Sequence, residues 1–378
     1  MLCLAALVTA AVRSGHFGAI PAPTWDTLPL YWFHGLGSQI SDDVFRSLAT
    51  VDIIGIGGTD DMNVRGINNR MCVKINKAET TANYSGCPCC AEDAFIAAAR
   101  RLKKLANRTH VLAYVNAALA YPWYRASQKL MNNLTQCLRN STGQLVHNLI
   151  ATGLNKEAGK ESWLAWDYSK GAGKYFAEAC LSMVQSGVID GIFADGCVRT
   201  PQPLLNATTI AYEREKAKLM VQLQKQMPDY FTCASTGKEY PGQNGTGAME
   251  LQNFGKPPKL FSKREIPMML KAKAEGVAFM AMGVGHTHRS DPEIITELAA
   301  FLIGASERSY WGVSSPHNVT WKRLPLHDKK LGKALGDPIL DKNGVYTRSF
   351  AAGVHVTYDT KTETGTIKWA DDDDNGVS

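Results

Sequence analysis

No apolar run in this sequence reaches the roughly 18 residues that a membrane-crossing helix needs, so no membrane span is expected. No GxGxxG follows an early strand-like run. Gly55-Ile56-Gly57-Gly58 has the wrong spacing and leads into Thr59-Asp60-Asp61, which weakens any dinucleotide-binding reading. Cys87-Pro88-Cys89-Cys90 has no second CxxC or HxxxH to complete a zinc set. His286-Thr287-His288 has i,i+2 spacing without further ligands, so neither metal nor cofactor is expected. Nothing resembles a recognition helix or an RNA-binding strand. The net charge of +6 is mild, and basic runs such as Arg100-Arg101-Leu102-Lys103-Lys104 fall on helical patterns as solvated faces. A nucleic-acid partner is therefore not expected.

What remains is an ordinary globular composition. The 378 residues are 45% apolar and 20% charged, enough for one large core or two modest ones. Met1 to Val12 has the length and character of a signal-peptide apolar region, though it lacks the usual positive start. Seven Asn-x-Ser/Thr sequons stand at Asn83, Asn107, Asn133, Asn140, Asn206, Asn244 and Asn318. Six cysteines, Cys72, Cys87, Cys89, Cys90, Cys137 and Cys197, fall in loop-like sequence and suit disulfides in an oxidising compartment. Cys180 and Cys233 lie in helix and strand patterns and read as buried thiols. Together these features predict a secreted, N-glycosylated monomer.

Short apolar runs alternate with helical periodicity along most of the chain. Eight strands are expected at 28–34, 51–57, 110–116, 189–195, 230–235, 248–252, 277–282 and 309–313. Helices are expected at 41–48, 91–106, 175–186, 208–226, 267–274 and 291–304, the last opening on Ser290-Asp291-Pro292-Glu293. The link between the fifth and sixth runs is short for a helix. Such an alternation predicts an α/β fold, a (β/α)8 TIM barrel, over 21–318 after an N-terminal segment 1–20. Lys342-Asn343-Gly344 is a turn signal among short alternating runs, so 319–370 reads as a small C-terminal antiparallel β domain, followed by an acidic tail 371–378.

Barrels of this kind carry their chemistry at the C-terminal ends of strands. That explains why "GVIDGIFADG", residues 187–196, finishes an apolar strand with a charge: Asp195 faces the mouth, whereas Asp190 lies at the opposite end. Glu250 sits late in the sixth strand between Met249 and Leu251. Paired carboxylates over one cleft suit glycoside hydrolysis. Asp195 is the candidate nucleophile or base and Glu250 the candidate general acid. The long inserts after the second and third strands bring aromatics to the mouth, and sugar C–H faces stack on such rings. Substrate contacts are expected from His34, Asn116, Tyr121, Trp123, Asp167, Lys238, His286 and Trp311.

With those segments in view, "GVIDGIFADG" resembles the fourth-strand motif of the hypothetical glycosyl-hydrolase-like barrels related to the α-galactosidase superfamily. "LGKALGDP", "GVYTRSFAAGVHVTYD" and "GTIKW" resemble the C-terminal segment of one such group, and "TWDTLPLYWFHG" fits its start. The resemblance implies a (β/α)8 fold with a small C-terminal β domain, an aspartate closing strand four and an acid near strand six. Asp195 and Glu250 match those two positions. The cysteine-rich inserts depart from the pattern. A secreted glycoside hydrolase is the leading expectation. A non-catalytic carbohydrate-binding barrel is the alternative, and a barrel hydrolase or lyase of another chemistry is the third reading.

Overall fold

The structure, a computed structural model, describes residues 20, 22–34, 42–57, 74–75, 82–83, 91–121, 124–140, 142–148, 163–196, 214–220, 223, 231–235, 248–254, 261–283, 290–312 and 323–370. Eight of its strands form one parallel sheet: β1 Leu30–His34, β2 Ile53–Ile56, β3 His110–Asn116, β4 Gly191–Asp195, β5 Phe231–Ser235, β6 Ala248–Phe254, β7 Ala278–Gly283 and β8 Ser309–Gly312. Each pairs parallel with its sequence neighbours, and the sheet curls until β8 pairs with β1, Leu30 opposite Trp311. β3 and β7 are buried along their whole length. That is what a sheet covered on both faces requires, and it is why these strands read as continuous apolar runs.

Side-chain alternation divides each strand into an inner and an outer set. The rings of Phe33, Tyr114 and Phe193 meet at 5.0–5.9 Å although β1 and β4 are not neighbours, so these residues fill the inside. Trp311 pairs with Leu30 and Ala281 and belongs to the outer set, packing edge-on against His327 at 5.7 Å.

Helices cover the outside: α1 Asp42–Leu48, α2 Ala91–Leu105, α3 Arg125–Met131, α4 Gly173–Val184, α5 Ile266–Ala274 and α6 Asp291–Gly304. A further helical stretch spans 214–220. α3 and a small antiparallel sheet (Leu119–Ala120, His147–Asn148, Trp163–Ala165) occupy the insert expected to be loop. The segment between β5 and β6 lies outside the described residues, and so does the question of whether it holds a helix.

At the start of α6 the Glu293 carboxylate accepts the Ser290 backbone N–H and hydroxyl, both at 3.2 Å, which fixes the chain where the helix opens. The helix is apolar almost all round because it is wedged between two layers. On one side is the barrel; on the other is an antiparallel sheet of β9 Ile339–Leu340, β10 Val345–Ser349, β11 His355–Asp359 and β12 Thr364–Lys368. β9 is a strand the sequence pattern did not reveal. Arg348 of β10 fastens the layers: its Nη1 donates to the carbonyls of Leu302, Ile303 and Ala305 at 2.8, 3.2 and 2.6 Å. A buried cation at a helix C-terminus satisfies acceptors the helix cannot pair itself.

One cysteine expectation is corrected. Cys137 is a free thiol in the core, not a loop cysteine in a disulfide, and burial pushes its thiol pKa up to about 12. Cys180 is a buried free thiol, as its helical pattern predicts. The side chains of the remaining cysteines lie outside the described residues.

Candidate functional site

The C-terminal rim of β3 and β4 brings two polar strand ends together. Asn116 ends β3 and pairs with Asp195, which ends β4. Asp195 is half-buried, and the turn beyond it rests on Gly196 at φ 74°. A Cβ there would lie 3.1 Å from Ala118 Cβ and 3.4 Å from Asn116 Oδ1, so only glycine lets the two strand ends approach this closely. The Ala117 N–H donates to the Asp195 carbonyl at 2.6 Å and locks the strand ends together.

The Asp195 side chain is held from β3. Tyr114 Oη donates to Asp195 Oδ2 at 2.9 Å, and Asn116 Nδ2 approaches the same oxygen at 3.2 Å. Asn116 is oriented by its own carbonyl, which accepts the backbone N–H groups of Ala118 and Leu119 at 2.9 and 2.8 Å. Its amide nitrogen is thereby turned to the hydroxyls of Tyr114 and Tyr121, both at 3.1 Å. Burial and the adjacent Asp195 charge hold the Tyr114 phenol well above its ordinary range, so it stays protonated and donates. Tyr114 lies almost flat against Tyr121, with centroids 6.3 Å apart, and against Phe193 at 5.9 Å. These rings form the floor beneath the carboxylate. Lys216 is fully buried with Nζ 3.5 Å from the Gly196 carbonyl.

The sheet register relates this rim to β6. Ala194 pairs with Cys233, so position 195 is level with position 234, and Ala234 pairs with Glu250. Positions 195 and 250 therefore share one level and the same set of the alternation. Two strand spacings separate their backbones by about 10 Å. The side chain of Glu250 itself lies outside the described residues.

Among the other expected contacts, Tyr121 and Asn116 belong to the Asp195 cluster. His34 closes β1 opposite Ile56, its side chain outside the described residues. Trp123, Lys238 and His286 are also outside them. Asp167 is buried, and its carboxylate takes the backbone N–H and hydroxyl of Ser169 at 3.0 and 2.5 Å, capping the turn Tyr168–Lys170. It is a structural cap, contrary to the expectation of a substrate contact. Trp311 faces the helical layer rather than the mouth, because Tyr310 and Gly312 take the inner positions of β8. Tyr114 was missed by sequence reasoning, although it stands two residues before Asn116 on the same face of one strand. Among the described residues no three His, Cys, Asp or Glu side chains converge as a metal set.

The fold is thus a curled parallel sheet flanked by helices, with a held carboxylate on its C-terminal rim. Residues 103–354 match hypothetical glycosyl hydrolase family 15, and the chain belongs to that family. Among curated proteins none matches the sequence. The fold is similar to that of the cycloalternan-degrading enzyme from Trueperella pyogenes, with TM-score 0.49, 13% identity and coverage of 84% of this chain and 46% of that one. This chain thus spans under half the length of that enzyme. It is also similar to a GH27 β-L-arabinopyranosidase from Geobacillus stearothermophilus, with TM-score 0.48, 11% identity and coverage of 88% and 84%. A maltogenic α-amylase from Thermotoga neapolitana gives TM-score 0.48, 10% identity and coverage of 89% and 86%.

Proposed function

We propose that this chain is a (β/α)8 glycoside hydrolase that cleaves a poly- or oligosaccharide with Asp195 as nucleophile or base and Glu250 as general acid. The observation that carries this reading is the level register of positions 195 and 250 at the mouth. Backbones about 10 Å apart leave room for carboxyl groups at either of the separations glycosidases use, about 5 Å for retention or 6.5–9.5 Å for inversion. In the reaction the bond from the anomeric carbon to the leaving oxygen breaks. That oxygen takes the Glu250 proton, while Asp195 either bonds to the carbon or takes a proton from the attacking water. The Tyr114 and Asn116 donors offset the charge Asp195 carries before it reacts.

The apolar start of the sequence and its seven sequons support a secreted glycoprotein, with a barrel over 21–318 and a β domain over 319–370. Asn107 and Asn133 are exposed, as glycosylated positions must be.

Purified protein incubated with a panel of polysaccharides and aryl glycosides tests the activity. Release of reducing ends or aryl alcohol from at least one member supports it. Saturable sugar binding without turnover on any member would support the non-catalytic barrel instead. The role of Glu250 is read from leaving groups. Glu250→Gln should retain kcat/KM on 2,4-dinitrophenyl glycosides, whose leaving groups need no protonation, and lose about 10²–10⁴-fold in kcat/KM on phenyl glycosides. Equal loss on both would assign the acid to another residue.

A further inference from the structure

The two donors from β3 do not treat the oxygens of Asp195 alike. Tyr114 Oη and Asn116 Nδ2 both reach Oδ2, at 2.9 and 3.2 Å. Oδ1 meets no donor among the described residues, and the residue is half-buried at the rim. A carboxylate rotates freely about its last bond unless its oxygens are distinguished, and here they are. Tyr114 is rigid. Its ring is clamped between Tyr121, Phe193 and Phe33, with centroids at 6.3, 5.9 and 5.7 Å. Asn116 is rigid because the backbone N–H groups of Ala118 and Leu119 fix its amide.

We propose that Tyr114, with Asn116, is a positioning residue that pins Oδ2 of Asp195 and leaves Oδ1 as the one oxygen that reacts. This rests on the glycosidase reading above. Neither residue touches the substrate's reacting atoms; each acts through the carboxylate. The pinned oxygen faces the strand β3, and among the described residues Oδ1 accepts no hydrogen bond. Two consequences follow. Loss of the phenol hydroxyl slows the step in which Asp195 takes part, whatever the leaving group. It leaves substrate binding unchanged, since the donor never meets the sugar.

The test uses full-length protein and the aryl glycoside hydrolysed by the wild type in the panel, as both its 2,4-dinitrophenyl and phenyl forms. Tyr114→Phe keeps the ring and its stacking and removes one donor to a charged group. Its kcat should fall about 10- to 100-fold on both forms, with KM unchanged. Asn116→Asp keeps an acceptor for the Ala118 and Leu119 N–H groups but replaces the donor with a second negative oxygen, and should lose more than Tyr114→Phe. Activities are compared well below the melting temperature of each variant, so a change in stability alone does not register. Wild-type kcat in Tyr114→Phe, beside an inactive Asp195→Asn, would overturn the positioning role and leave the glycosidase reading standing. A rise in KM with kcat unchanged would also overturn it, because it would make Tyr114 a binding group. Full activity in Asp195→Asn would remove the underlying reading itself.

Discussion

Among the described residues, the side chain of Asp195 is held by its neighbour in the sheet. The strand pairing sets Asn116 beside it, and alternation sets Tyr114 one step below. Gly196 is the smallest part of this device and the most exposed to substitution. Gly196→Ala forces a side chain into a left-handed backbone and against Ala118. It should cost about 1–3 kcal/mol in urea unfolding. A change of under 0.5 kcal/mol would show that the turn relaxes easily. The place of Asp195 at the end of its strand was legible in the sequence because it depends on one local rule, a charge at the end of an apolar run; Asn116 was expected only as a substrate contact, and its hold on Asp195 depends on the pairing of β3 with β4. Asp167 and Trp311 were misread for the opposite reason. Capping by Asp167 depends on Ser169 folding back onto it. The outward aim of Trp311 depends on its register with β1 and β7, which no local pattern encodes.

At the scale of elements, the helix–helix contacts hold a buried acid. Glu92 of α2 accepts the backbone N–H of Arg125 at 2.8 Å and so caps α3 from outside. Its second oxygen has no hydrogen-bond partner among the described residues. Burial raises its pKa above the ordinary 4.5, against the opposing pull of the Glu92, Arg125 and Ala126 backbone N–H groups and of the Arg125 charge. A carboxyl with a raised pKa in the folded state favours folding while it is protonated. That contribution is complete below the unfolded-state pKa and is lost as pH climbs from there through the folded value. Glu92→Gln keeps the acceptor and carries no charge. The variant should therefore lack this loss and gain stability relative to wild type as pH rises from 4 to 7, followed by thermal melting. Parallel pH curves for the two proteins would contradict it. All eight barrel strands were legible to within two residues at each end, because most of them are short apolar runs bounded by turn-forming residues. α3 and the small sheet after β3 were not, since their apolar residues are spent on packing against the barrel end and show no clean period.

For the whole molecule, the question is what joins the C-terminal sheet to the barrel. The sheet's inner residues Val356 and Tyr358 are buried against the α6 layer, and Tyr358 meets Phe261 edge-on at 6.0 Å. Arg348 adds charged hydrogen bonds to three carbonyls at the end of α6. Arg348→Met removes those donors and leaves the acceptors buried, and should cost about 2–4 kcal/mol in global unfolding. An unchanged midpoint would mean that apolar packing alone secures the sheet. The sheet's three long strands were foreseen from their alternation, and the helix between it and the barrel from the proline and acids of its Ser290-Asp291-Pro292-Glu293 start. Their stacking on each other was not, because a sandwiched helix reads simply as apolar.

The central claim is that Asp195 is a reacting carboxylate of a glycosidase, and its substitution tests that most directly. Asp195→Asn is nearly isosteric and keeps an oxygen for the Tyr114 hydroxyl. On whichever glycoside the wild type hydrolyses, the variant should fold with an unchanged circular dichroism spectrum and lose at least about 10²-fold in kcat. Turnover equal to that of the wild type would contradict the account.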